Sequence, residues 1–103
     1  MRSHILPAVA TILLIGACSS GGGQTNDDAF ISELSGDTFW KSLDRTTAID
    51  AGHEFCDAVV EANERGATGI DAVRTVVARY GLKPGPVLVG AAKRNYCPDV
   101  NLG

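Results

Sequence analysis

Three thiols and one acid-flanked histidine carry most of the chemical potential of this 103-residue chain. Cys18, Cys56 and Cys97 could hold a lipid, a disulfide or a metal. His53, beside Glu54 and four residues before Asp57, has the i, i+4 spacing that lets a histidine and a carboxylate share a helix face, as a metal or acid/base pair would. Zinc sites gather their ligands in close couples such as Cys-x-x-Cys, whereas Cys56 and Cys97 stand 41 positions apart with no ligand couple beside either. His53-Glu54 starts like a zincin helix, but position 57 holds aspartate where that motif needs its second histidine. The expectation is therefore no metal and no cofactor.

Catalysis by a nucleophile needs a base and an orienting group held with it. Ser32, Ser35 and Ser42 lack a Gly-x-Ser-x-Gly elbow, and the one histidine outside the N-terminal segment has no evident serine partner. Gly21-Gly22-Gly23 is followed by no Gly-Lys-Ser/Thr and preceded by no strand, so it reads as linker and not as a phosphate loop. A non-enzymatic protein is expected.

Two binding features remain. Asp50, Glu54, Asp57, Glu61 and Glu64 step by four and three, which lays five carboxylates along one helix face. That pattern suits either a solvated outer surface, partly paired through Glu61 and Arg65, or a docking face for a basic protein partner. Trp40, His53, Tyr80 and Tyr96 could instead line an apolar pocket between helices, with haem ligation by tyrosine or histidine a minor variant. Aromatics at helical spacing more often build core. Asp27 to Gly66 holds ten acids against three bases, and Ala67 to Gly103 two against five, an imbalance that disfavours nucleic acid as a partner.

The N-terminus carries an address. Arg2 precedes an apolar run, Ile5 to Ala17, that is too short to cross a membrane core, which takes about 20 residues. Ile15-Gly16-Ala17-Cys18 resembles the bacterial lipobox. The resemblance implies a cleaved signal peptide over 1–17, diacylglyceryl attachment to the Cys18 sulfur, and a lipoprotein held on the extracytoplasmic face of the cell membrane. Ser19 to Asn26 then reads as a Gly/Ser-rich tether with a mean reach of roughly 15 Å, giving 18–26 as anchor and tether and 27–103 as the domain.

With Cys18 assigned to lipid, Cys56 and Cys97 form a pair, and an exported domain meets an oxidising compartment, so a disulfide is the expectation. Closing a loop of that length stabilises a fold by about 4 kcal/mol on the chain-entropy model. That is a large contribution in a domain too small to rely on its core alone.

Helical periodicity dominates the remainder and no strand alternation stands out. Helices are expected from about Asp27 to Ser35 with Asn26 as cap, Thr46 to Arg65, Thr68 to Tyr80 with a capping box of Thr68 and Asp71, and Pro86 to Tyr96. Residues 37–44 fit either one helical turn or an ordered loop laying Phe39 and Trp40 over the core. The predicted fold is all-α: a small four-helix antiparallel bundle closed by one disulfide.

Ala51-Gly52-His53-Glu54-Phe55-Cys56, then Val89-Gly90-Ala91-Ala92 and Tyr96-Cys97-Pro98, with Phe30-Ile31-Ser32-Glu33-Leu34 ahead of them, is similar to the small exported actinobacterial proteins grouped as domain of unknown function 732. The resemblance spans about Asp27 to Pro98 and is poorest over Gly36 to Arg45. It implies a helical, disulfide-closed, secreted or lipid-anchored domain and brings no catalytic residues with it. The functional expectation is an interaction module at the cell envelope, with a small-ligand carrier as the alternative.

Overall fold

The computed structural model describes residues 26–103, and these fold as five helices with no strand among them. The expected signal peptide, Cys18 and the expected tether up to Thr25 lie outside the described residues. α1 covers 26–34, α2 Thr38–Lys41, α3 Arg45–Glu64, α4 Ile70–Tyr80 and α5 Pro84–Tyr96. The four longer helices form the predicted bundle and α2 is a single turn.

Local chemistry explains where each helix starts. The segment that fitted either a turn or a loop is helical because Asp37, itself buried, accepts hydrogen bonds on Oδ1 from the Phe39 and Trp40 amides. Asp44 caps α3 in the same way through the Thr47 amide, and the Thr47 hydroxyl and amide together hold its carboxyl below the usual range. This cap moves the start of α3 to Arg45, one residue earlier than the spacing predicts.

The capping box expected at Thr68 does not form. Gly69 occupies the cap position of α4 without a side-chain cap, the Thr68 hydroxyl lies a long 3.5 Å from the Ile70 amide, and Asp71 turns to Arg74 at 3.4 Å. Pro84, not Pro86, opens α5, and its fixed φ and missing N–H suit that position. Gly66 ends α3 at φ 85, a left-handed conformation that costs glycine little.

The core comprises Phe30 and Leu34 from α1, Trp40 from α2, Ala48, Ala51, Phe55, Cys56 and Val59 from α3, Val76 from α4, Leu88, Ala91 and Ala92 from α5, and Cys97 just after it. α1 lies over the seam between α3 and α5. There Phe30 is fully buried and packs its ring 4.8 Å from that of Tyr96, against the bare backbone of Gly52. A Cβ at Gly52 would sit 2.6 Å from Phe30 Cζ, so this crossing requires glycine. Cys56 and Cys97 form a disulfide with their Cα atoms 5.9 Å apart, tying the end of α5 to the middle of α3.

Candidate functional site

The acidic stripe stands opposite the core on α3. Successive residues rotate by about 100°, so the phase that buries Ala48, Phe55, Val59 and Ala62 leaves Asp50, Glu54, Asp57, Glu61 and Glu64 exposed on the far side. Glu54 meets Arg79 of α4 at 3.1 Å and Glu61 meets Arg65 at 3.5 Å. Asp50, Asp57 and Glu64 make no ion pair among the described residues. Both pairs that do form are exposed and add little to stability, so the face presents negative charge to solvent.

The four aromatic and histidine residues read as a candidate pocket divide into two separate groups. Trp40 and Tyr80 pack at 4.8 Å between centroids, with Phe39 edge-on to Trp40, and the Trp40 indole donates to the Pro84 carbonyl at 2.8 Å. That hydrogen bond pins α2 to the start of α5 and leaves Trp40 as core. His53 and Tyr96 stack at 4.0 Å on the α1 side of α3. Tyr80 borders one cavity, Trp40 a second, and His53 with Tyr96 a third.

His53 turns away from Asp57 and toward α1. Its Nε2 lies 3.8 Å from Asp27 Oδ1, the oxygen to which the Tyr96 hydroxyl also donates. Burial, and then the bond to Asp27, push the Tyr96 phenol well above its ordinary value. The cluster is a polar clasp holding α1 on the bundle, with the imidazole half exposed. Among the described residues no three His, Cys, Asp or Glu side chains converge as a metal-holding group.

Two further contacts hold α1. Glu33 accepts from Arg94 Nε at 2.7 Å and from Asn95 at 2.9 Å, which keeps its carboxyl below the usual range, and Asp28 pairs with Arg45. The acids of α1, Asp27, Asp28 and Glu33, thus all reach other helices. Asn63 is another residue that sequence reasoning passed over. Its amide group donates to the Ala67 and Asn101 carbonyls and accepts from the Asn101 amide, fastening the C-terminal segment beside the α3–α4 turn. An asparagine in the core-facing phase of a helix was the available signal.

An apolar groove runs between α3 and α4. It measures about 140 Å³ and is floored by Ala51, Phe55, Ala58, Ala72 and Val76, with the Glu54–Arg79 pair at its rim. Small-molecule sites usually enclose about 300–1,000 Å³.

The geometry defines a class: an all-helical bundle of one disulfide in which polar clasps fasten α1. The chain belongs to the family described as "Protein of unknown function (DUF732)", whose sequence profile matches residues 26–99. No curated protein and no solved structure matches it.

Proposed function

We propose that this chain is an exported, lipid-anchored, non-enzymatic module that docks a basic protein partner at the cell envelope through the outer face of α3. The observation that carries the reading is the exposed row Asp50, Glu54, Asp57, Glu61 and Glu64, three of whose carboxylates have no basic neighbour within ion-pair distance among the described residues. A rigid helix presenting such a row offers a partner complementary charge at defined spacing, which favours fast and selective encounter.

Anchoring rests on Ile15-Gly16-Ala17-Cys18, and the Cys56–Cys97 disulfide is in keeping with an oxidising, extracytoplasmic compartment. The non-enzymatic part rests on the absence of a nucleophile, base and orienting group in one place among the described residues. His53, the histidine among the described residues, is engaged with Asp27 and Tyr96. A small-ligand carrier is the second reading. It has the α3–α4 groove in its favour, but a ligand of ordinary size would require α4 to move outward.

Crosslinking in intact envelopes tests the docking face. Asp57→Lys with Glu61→Lys is expected to remove the crosslinked partner while circular dichroism stays unchanged, and an unaltered set of crosslinks would overturn the reading. Intact mass of the membrane-extracted protein tests the anchor independently, through a lipid adduct on Cys18.

A further inference from the structure

The end of the bundle made by α2 and the α4–α5 turn carries the most exposed large apolar side chain among the described residues. Leu82 is 86% exposed, held out between Gly81, at φ 111, and Lys83. Phe39 is 39% exposed and its ring stands 6.0 Å from that of Tyr80, two residues before Leu82. Because the Trp40 indole ties α2 to Pro84, both apolar side chains belong to one end of the molecule. Lys41 and Lys83 flank them, both exposed and neither in an ion pair among the described residues. The carboxylates nearest in sequence are spent on caps: Asp37 is buried on α2, and Asp44 is turned onto Thr47.

We propose that this end rests on the surface of the bilayer, with Leu82 and Phe39 dipping into the interfacial layer and Lys41 and Lys83 facing anionic headgroups. The proposal rests on the anchored reading above. A domain fixed through Cys18 must turn some face toward the membrane, and the acidic face of α3 is repelled by anionic lipid. An apolar tip set among lysines is the surface that fits such an interface.

Reach permits it. Seven residues, 19–25, lie between Cys18 and Asn26, and a Gly/Ser-rich chain of that length is expected to span roughly 15 Å on average. Asn26 and Asp27 lie beside His53 and Tyr96, and α1 then runs nine residues, about 13 Å, to the cavity that Leu34 shares with Trp40. The tether root lies at the Tyr96 end of α5 and the apolar end at its Pro84 end, about 20 Å apart along a 13-residue helix. That is more than the mean span but within the roughly 27 Å that the eight extended steps from Cys18 to Asn26 can cover, so both can meet one bilayer. Tethering keeps the local lipid concentration high, so two apolar side chains and two lysines suffice for a contact that would be weak in free solution.

The test introduces a fluorescent reporter. In the full chain, Leu82→Trp adds an exposed indole to the buried Trp40, and wild type gives the Trp40 background. On vesicles of phosphatidylglycerol and phosphatidylcholine with brominated acyl chains, the added emission is expected to shift to the blue and to be quenched. Lys41→Gln and Lys83→Gln should each lower the ratio of contacting to free molecules about fivefold. Emission at position 82 that stays solvent-like on protein-bearing vesicles would overturn the proposal. So would shielding from acrylamide in whole envelopes without quenching by brominated lipid, since a protein would then cover this end. Anchor failure is read separately, as a missing lipid adduct on Cys18; quenching at raised vesicle concentration then still decides the surface.

Discussion

The two sides of α3 are held by different physics. Toward α1 and α5, the helix offers Gly52 and Cys56, and it gains a fully buried phenylalanine at backbone distance, a stacked His53–Tyr96 pair and a covalent bridge. Toward α4 it offers Ala51 and Ala58. Ala72 and Val76 meet them with a groove left open, and the polar link across it is the exposed pair Glu54–Arg79. α4 has one buried apolar side chain, Val76, and leans more on α5 than on α3. Small residues on both helices of a crossing can mean intimate packing or an unfilled gap. The partner side chain decides which, since Phe30 fills the space over Gly52 and nothing comparable fills the space over Ala58.

The largest expected effect breaks the tighter side. Cys56→Ser with Cys97→Ser should destabilise the domain by about 4 kcal/mol, read as a lowered midpoint in urea. A loss well under half of that would mean that the α1–α3–α5 seam holds without its bridge.

The contrast itself is tested by a pair of truncations. Phe30→Ala should cost about 3 kcal/mol and Val76→Ala about half as much, because truncating the fully buried Phe30 leaves an enclosed void while Val76 already borders the groove. Equal losses in chemical denaturation would erase the distinction between the two sides.

A smaller effect sharpens it. The Tyr96 phenol is raised in the folded state, so its contribution is fully present below the ordinary value of 10.0 and is lost as pH rises beyond it. Tyr96→Phe should lower stability near neutral pH by about 1 kcal/mol, through the missing bond to Asp27, and should flatten the alkaline decline. An unchanged alkaline limb in thermal melts of the variant would assign that decline to another group.

Helix identity was readable in the chain because apolar residues recur at helical spacing in α3, α4 and α5, and because glycine and proline sit between them. Helix starts were less legible. Asp44 and Asp37 outrank their neighbours as caps only once their own backbone is extended, and Thr68 loses its role because Gly69 takes the cap position. The acidic face of α3 followed from spacing alone, since carboxylates opposite a core stripe must face water. The grouping of Trp40 with Tyr80 and of His53 with Tyr96 could not follow, because it depends on which side of α3 each neighbouring helix occupies.

The sequence by itself determined the composition of the molecule: a lipobox-like address, a pair of cysteines, four amphipathic helices and a charged stripe, all set by local pattern and residue chemistry. The tertiary structure decided which surfaces remain. It buried Trp40, divided the candidate pocket, spent the acids of α1 on contacts with other helices, and left Leu82 standing out beside Phe39 between two lysines. Spacing along a chain fixes which residues share a face of one helix. The order in which helices pack fixes which of those faces meet each other, and at the α2 end none covers the tip.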